Sequence, residues 1–165
     1  IIVKKFLLFF TLIFNFGCDF IRNQDNEIAK IDCPTIYFSL ENNVFTEGNI
    51  NSLDLDEIEY KAVLNNYAQP DFCFSENSIN NYLLDLLILV EPISPKESIV
   101  ELPLFAILYD NNEKVIDKQY FKIIDNLVYI ESSSTYVTTE LIRKIKLKTL
   151  LDKSANSIII GFVKI

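Results

Sequence analysis

The sequence predicts an all-β protein, an antiparallel β-sandwich of immunoglobulin-like architecture with about seven strands, which follows an N-terminal signal or anchor segment. Three observations predict this class. Apolar and polar residues alternate along several stretches, clusters of Asn, Asp and Pro separate these stretches, and no helical periodicity alternates with them. The chain has 165 residues, 50% of them hydrophobic, so we expect one domain with a sizeable core.

The chain before residue 33 is expected to lie outside this domain. Lys4 and Lys5 precede the apolar run FLLFFTLIFNF at 6–16. Its length suits the hydrophobic region of a signal peptide and falls short of a bilayer span. Residues 19–30 are polar, as is typical of a tether. We therefore divide the chain into a signal peptide or membrane anchor at 1–17, a polar tether at 18–32 and a β-sandwich domain at 33–165.

Cys18 is the candidate site of lipidation. A bacterial lipoprotein signal resembles a charged start, a short apolar run and a small residue directly before the lipid-bearing Cys, and Gly17 fills that last place. Asn15 and Phe16 depart from the pattern, because Leu and a small residue are usual there. Lipidation is the favoured interpretation, and an uncleaved anchor, simple secretion and a buried helix are the alternatives. The expected location is the bacterial cell envelope, membrane-anchored and facing the periplasm.

The cysteine count supports the same interpretation. Three cysteines is an odd number for an exported protein, and lipidation of Cys18 leaves Cys33 and Cys73 as a possible disulfide. Oxidation of such a pair is expected outside the cytoplasm. Two separate buried thiols are the alternative. The chain has no CxxC spacing, so we expect neither a zinc site nor a redox-active pair.

Seven stretches have the patterning of strands. TIYFSL at 35–40 alternates, so that Ile36, Phe38 and Leu40 are expected on one face. EIEYKAVL at 57–64 alternates in the same way and predicts a strand with one buried face. The other five are NYLLDLLILVE at 81–91, LPLFAILYD at 102–110, KVIDKQYFKI at 114–123, TTELIRKIKLKTLL at 138–151 and SIIIGFVKI at 157–165.

Three of these stretches lead to further expectations. The stretch 102–110 is apolar on both faces, which is typical of a central strand. Asp, Asn, Asn and Glu at 110–113 are turn residues, so we expect a hairpin with the strand that follows. The stretch 138–151 is favoured as a strand, and a helix capped by Thr138 or Thr139 is the alternative.

Composition excludes several classes of function. Without His, the chain has no Ser-His-Asp or Cys-His nucleophile system and no imidazole metal ligand. Its three Gly are too far apart for a phosphate-binding loop. A balance of 15 basic to 23 acidic residues, a net charge of −8, argues against nucleic acid as a partner. We therefore expect no enzyme activity, no cofactor and no metal site.

Two charged clusters were considered as sites. The basic stretch near the C-terminal end is interpreted as lysines that protect an edge strand from pairing. A surface that faces an acidic protein partner or anionic lipid is the alternative. The acidic cluster is interpreted as a solvated strand edge, with Ca²⁺ ligation as the alternative. The basic stretch consists of Arg143, Lys144, Lys146 and Lys148, and the acidic cluster of Asp54, Asp56, Glu57 and Glu59.

The order of these features resembles a family of small exported proteins and lipoproteins of alphaproteobacteria. The matching pieces begin with CPTIYFSLENNVFTEG at 33–48, DLDEIEYKAVL at 54–64 and the lone Cys in PDFCFSE at 70–76. They continue with LLDLLILVE, LPLFAILYDNNEKVIDKQYFKI and the terminal IIIGFVKI. The resemblance implies a β-sandwich on a lipid or signal-peptide anchor. It implies no activity, substrate or catalytic residue.

The favoured function is a membrane-anchored envelope lipoprotein that acts as a non-catalytic interaction, assembly or accessory module. Its partners are expected to be the membrane, through the N-terminal lipid or anchor, and a protein of the cell envelope. A small-ligand-binding periplasmic module is the alternative, followed by an envelope enzyme.

Overall fold

The computed structural model of the chain describes residues 28–48, 57–95 and 98–164. The expected signal or anchor segment 1–17, the candidate lipid site Cys18 and most of the tether lie outside the described residues. Within these described ranges the regular structure is β, in twelve strands and without an α-helix. The expectation of an all-β protein is confirmed.

The strands follow one another along the chain with short connections. They are β1 (Ala29–Ile31), β2 (Thr35–Phe38), β3 (Val44–Gly48), β4 (Ile58–Ala68), β5 (Cys73–Glu76), β6 (Ile79–Pro92), β7 (Ile99–Tyr109), β8 (Val115–Asn126), β9 (Val128–Ile130), β10 (Thr135–Val137), β11 (Thr139–Leu150) and β12 (Ser157–Phe162).

The larger sheet is built around β6. One edge of β6 pairs with β11 in an antiparallel register from Ile79 to Val90. Its other edge is shared by β5 and β4, also antiparallel. Beyond these, β1 pairs with β5 and β3 pairs with β4. Both edges of β6 are therefore covered, whereas β11 is the last strand on its side of the sheet among the described residues.

The smaller sheet has the order β2-β12-β7-β8. β12 runs parallel to β2 and antiparallel to β7, and β8 pairs with β7 along most of its length. The central position of β7 confirms the expectation from its two apolar faces. β8 ends this sheet, and the hairpin of β9 and β10 connects it to β11. The edge strands β8 and β11 therefore belong to different sheets.

The two sheets pack face to face through the alternating apolar residues of their strands. Aromatic contacts join the layers, with ring centroids 5.7 Å apart for Phe45 and Phe162 and 6.0 Å apart for Phe38 and Tyr67. The inward residues of the two long central strands are nearly or fully buried. They are Tyr82, Leu84, Leu86, Ile88 and Val90 of β6 and Val100, Leu102, Leu104, Ala106 and Leu108 of β7.

Each of the seven expected stretches contains a strand, namely β2, β4, β6, β7, β8, β11 and β12. Five more strands occur in the described ranges, each of three to five residues. Such short strands contain too few alternations to show a period in the sequence. The expected count of about seven is therefore too low, and this strand order does not confirm an immunoglobulin-like topology.

The expectation that Leu40 lies on the buried face with Ile36 is wrong. β2 ends at Phe38, and the chain then crosses from the smaller sheet to the larger one. At the start of the crossing the N–H of Ser39 donates to β12, and at its end the carbonyl of Asn43 accepts from β4. Leu40 lies on this crossing and is 95% exposed.

Two local expectations are confirmed. In the turn at 110–113, the Asp110 carboxylate accepts from the backbone N–H groups of Asn112 and Lys114 at 2.8 and 2.9 Å. Glu113 takes the left-handed conformation there, with φ of 60°. The stretch 138–151 forms a strand, β11, and not a helix.

Candidate interaction surface

Cys33 and Cys73 form the expected disulfide, with Cα atoms 5.0 Å apart. Cys73 begins β5 and pairs in register with Ile31 of β1, so the bridge links the chain two residues after β1 to the larger sheet. β5 in turn pairs with the first residues of β6. The chain that precedes β1 therefore joins the domain beside the beginning of β6.

All four residues of the expected basic stretch lie on β11, but they face two ways. Lys144, Lys146 and Lys148 are exposed on the outer face of the larger sheet. Arg143 is an odd-numbered residue, so its side chain points to the opposite face, where it forms an ion pair with Asp125 of β8 in the smaller sheet. The stretch is therefore a row of three lysines and a separate bridge between the sheets.

The lysine row has neighbours on one side. Across the pairing with β6, Lys144 lies opposite Asp85 and Lys146 lies opposite Leu83. The ammonium of Lys146 also lies 5.4 Å from the centre of the Phe74 ring. On the other side of the row, the described residues supply no paired strand. That side is open to a further strand.

Two side-chain bridges connect β11 to β8. Gln119 of β8 donates from Nε2 to the carbonyl oxygen of Lys148 at 2.6 Å, and Arg143 pairs with Asp125. The strands run antiparallel across this gap, because the bridges advance along β8 as they go back along β11. No backbone–backbone hydrogen bond joins the two strands in the described ranges. We call residues 119–124 of β8 and 143–147 of β11 the β8–β11 seam.

The hydrogen bonds of β11 show which of its residues face the seam. Just beyond the strand, the N–H of Leu151 donates to the carbonyl of Ser78, the residue opposite it when the register of β11 and β6 is continued. In an antiparallel pair every second residue is hydrogen-bonded in this way, so the odd-numbered residues of β11 exchange hydrogen bonds with β6. The carbonyls of Ile142 and Lys148 accept from side chains at 2.8 and 2.6 Å instead. From Ile142 to Lys148, the even-numbered residues of β11 therefore turn their N–H and C=O groups to the seam.

Lys144 and Lys146 lie between these two side-chain contacts. In the part of the chain that the structure describes, no hydrogen bond from β8 reaches their backbone groups. The same alternation applies to β8. The N–H of Leu127 donates to the carbonyl of Ser98 at the end of the β7–β8 pairing, so the odd-numbered residues of β8 exchange hydrogen bonds with β7. Even-numbered residues of β8, such as Tyr120, therefore face the seam with their backbone. Two unpaired strand edges face each other.

A groove of about 470 Å³ runs along the seam. Tyr120 and Ile124 line it and are 70% and 59% exposed. Among the residues that the structure describes, its lining contains four cations and no carboxylate, although Lys122 donates to Glu101 at 2.7 Å just outside it. Lys122 and Arg143 are paired with Glu101 and Asp125, so in a chain with a net charge of −8 it is Lys144 and Lys146 that give the groove a local excess of positive charge. The four cations are Lys122, Arg143, Lys144 and Lys146.

The β8 half of this surface was missed in the sequence. Gln119, Tyr120 and Lys122 lie in a stretch that was recognised only as the return strand of a hairpin. Gln119 contacts a residue 29 positions away, and no local pattern predicts a contact at that separation. The half on β11 was found because basic residues stand out in an acidic chain.

The acidic cluster is the other candidate site in the sequence. Among the described residues no group of three or more His, Cys, Asp or Glu is placed to hold a metal ion. Of the acidic cluster, Glu57 lies directly before β4 and Glu59 is the second residue of that strand, while Asp54 and Asp56 are outside the described ranges. No helix in the described ranges has the length and apolar character that crossing a membrane requires.

The fold and the seam define the class of protein, an all-β sandwich whose two sheets are joined along one side by side chains. Comparison with protein-family models, with curated proteins and with solved structures finds no match to the chain. The resemblance to small exported proteins and lipoproteins therefore stays a prediction.

Proposed function

We propose that the chain is a membrane-anchored envelope lipoprotein whose β-sandwich is a non-catalytic interaction or assembly module. The observation that carries the proposal is the β8–β11 seam, where two strand edges and four cations lie at the surface of an acidic chain. Open strand edges accept strands of other proteins. Clustered charge steers association with a partner of opposite sign.

The anchor half of the proposal is supported by the N-terminal sequence. Lys4, Lys5, the apolar run 6–16 and Gly17 precede Cys18 in the order of a lipoprotein signal. The disulfide is compatible with an oxidising compartment, where such bonds persist. A lipid on Cys18 would tether the domain and raise the local concentration of the seam near partners in the same membrane.

Lipidation is tested by mass spectrometry of the full chain expressed in a bacterial host. The wild-type protein is expected in the membrane fraction, cleaved before Cys18 and carrying the mass of acyl chains. Cys18→Ser is expected to lose that mass. Asn15→Leu, which introduces the usual residue, should be processed at least as completely as the wild type. An unmodified Cys18 in the wild-type protein would overturn this half of the proposal.

The interaction half is tested by crosslinking in native envelopes and affinity purification of the tagged full chain. A crosslinked partner is expected for the wild type and should be lost when the three exposed lysines of β11 are replaced by glutamates. A matched control reverses three exposed lysines elsewhere and should keep the partner. The test triple is Lys144→Glu, Lys146→Glu and Lys148→Glu, and the control triple is Lys30→Glu, Lys114→Glu and Lys164→Glu. Equal recovery with both triples would show that the seam is not the contact.

A further inference from the structure

We propose that the β8–β11 seam binds an extended acidic peptide segment of a partner protein, by strand addition to the free edge of β11 at Lys144 and Lys146. The inference rests on the proposed function and specifies the chemistry of the partner and the geometry of its binding. It is carried by three features of the seam, which are its backbone edge, its volume and its charge.

The backbone edge offers directional hydrogen bonds. Lys144 and Lys146 each turn one N–H and one C=O to the seam, and the described residues supply no partner for them. Residues two apart on one edge present donors and acceptors with the repeat of an extended strand. An added peptide would therefore pair with both residues at once, as in other complexes formed by strand addition.

The volume of the groove fits a short extended segment. One strand residue occupies roughly 160 Å³, given a rise of about 3.3 Å, a strand spacing of about 4.8 Å and a layer thickness of about 10 Å. The groove of about 470 Å³ therefore has room for about three residues. That is the length from Lys144 to Lys146, and the flanking residues of a longer peptide would turn out of the groove to solvent before the two bridges.

A peptide can enter without breaking a strand pair. The seam is closed at its two ends by side chains, Gln119 to Lys148 and Arg143 to Asp125, and these lie outside the stretch that would pair. The Gln119 contact occupies the next carbonyl along the same edge of β11. Removing this side chain frees that carbonyl, so Gln119→Ala is expected to strengthen peptide binding and not to weaken it.

Charge determines which peptide fits. The side chains of Lys144 and Lys146 lie on the same face of β11, and alternate residues of an added strand would lie opposite them. Carboxylates at those positions make cross-strand pairs of opposite charge, which stabilise a sheet. A second copy of β11 would instead place lysine opposite lysine, which opposes self-pairing. Lipid headgroups offer negative charge but no backbone to pair with the edge.

The inference is tested by fluorescence anisotropy with the full chain in neutral detergent. The probe is the labelled hexapeptide acetyl-Glu-Val-Glu-Val-Glu-Val-amide, measured at about 0.1 M salt and again at about 1 M, where the screening length falls from about 10 to about 3 Å. We expect binding that weakens roughly tenfold with Lys144→Glu and Lys146→Glu together and weakens at high salt. Lys30→Glu and Lys164→Glu together are the matched control and should leave the affinity unchanged.

Two further probes make the test specific. The same peptide N-methylated at its three Glu residues lacks the N–H groups that would face β11 and cannot form the ladder, and acetyl-Lys-Val-Lys-Val-Lys-Val-amide reverses the charge. Both are expected to bind at least about tenfold more weakly. Equal binding of either one would overturn strand addition by an acidic peptide. So would the absence of peptide binding together with a lysine-dependent preference for phosphatidylglycerol over phosphatidylcholine vesicles, or lysine-dependent dimerisation of the chain.

The outcomes separate this inference from the proposed function. If a crosslinked envelope partner depends on the three lysines but the hexapeptide does not bind, the interaction module stands and strand addition is overturned. If the hexapeptide binds as expected but the chain is neither lipidated nor crosslinked in the envelope, the seam stands and the proposed function is overturned.

Discussion

The hydroxyl of Tyr60 is bonded twice to the backbone of Glu101, donating to its carbonyl oxygen at 3.0 Å and accepting from its N–H at 3.1 Å. Tyr60 belongs to β4 of the larger sheet and Glu101 to β7 of the smaller one, so a single phenol joins the two layers. β12 pairs with β7 only between Leu104 and Tyr109. The Tyr60 hydroxyl therefore supplies the hydrogen bonds that a longer β12 would have made.

Tyr60→Phe is expected to lower the free energy of unfolding by about 1–2 kcal/mol, because the N–H and C=O of Glu101 both lose their partner. Urea unfolding of the full chain in neutral detergent measures the change. Tyr120→Phe removes the same atom from a ring that is 70% exposed and should change stability by less than about 0.5 kcal/mol. Equal effects of the two substitutions would contradict the role assigned to Tyr60.

The raised pKa of Tyr60 leads to a prediction of how the free energy of unfolding depends on pH. Burial raises the pKa of Tyr60 above the ordinary value of 10.0; the bond to the Glu101 backbone opposes this, and the carboxylates of Glu47, Glu101 and Glu59 add to it. Since the folded-state pKa lies above the unfolded one, the contribution to stability is complete below pH 10 and is lost as pH rises through the folded pKa.

Above pH 10, the free energy of unfolding of the wild-type protein is therefore expected to fall more steeply with pH than that of Tyr60→Phe. The measurement is urea unfolding of both proteins at a series of values from about pH 8 to about pH 11, which spans the ordinary tyrosine pKa. The remaining tyrosines titrate in both proteins, so their effect cancels in the difference. Parallel curves for the two proteins would show that Tyr60 does not contribute to the alkaline loss.

The disulfide is expected to stabilise the domain by up to about 4 kcal/mol, since it closes a loop of 40 residues in the unfolded chain. Cys33→Ala combined with Cys73→Ala, in a Cys18→Ser background that lacks the lipid, removes it, and Cys18→Ser with its bridge intact is the control. Denaturant unfolding measures both variants. If alkylation without prior reduction modifies Cys33 and Cys73 in the protein purified from the envelope, the bridge is absent there.

Gly161→Ala is expected to destabilise the domain by about 1–3 kcal/mol. Gly161 pairs with Phe105 across β12 and β7, and a Cβ atom there would lie 2.6 Å from the Cζ atom of that ring. Phe105→Leu removes the ring, so the same glycine substitution should cost less in that background. The double-mutant cycle by urea unfolding measures this coupling, and additive effects would contradict the steric explanation.

Several features of the fold could be predicted from local patterns. The alternation at 57–64 correctly places Tyr60, Ala62 and Leu64 in the core, and the two apolar faces at 102–110 correctly place β7 in the middle of its sheet. These predictions succeed because successive residues of a strand point to opposite faces, which is a property of the backbone at each residue. The short strand β5 escaped notice because four residues show no clear period.

The sequence by itself determined the all-β class, the buried faces of the long strands and which residues of β11 carry positive charge. The tertiary structure alone decided that β8 and β11 become neighbouring edges of different sheets. It also separated Arg143 from the lysine row, by providing Asp125 as its partner on β8. The physical reason is that alternation depends on adjacent residues, whereas strand order depends on how two sheets bury their apolar faces together.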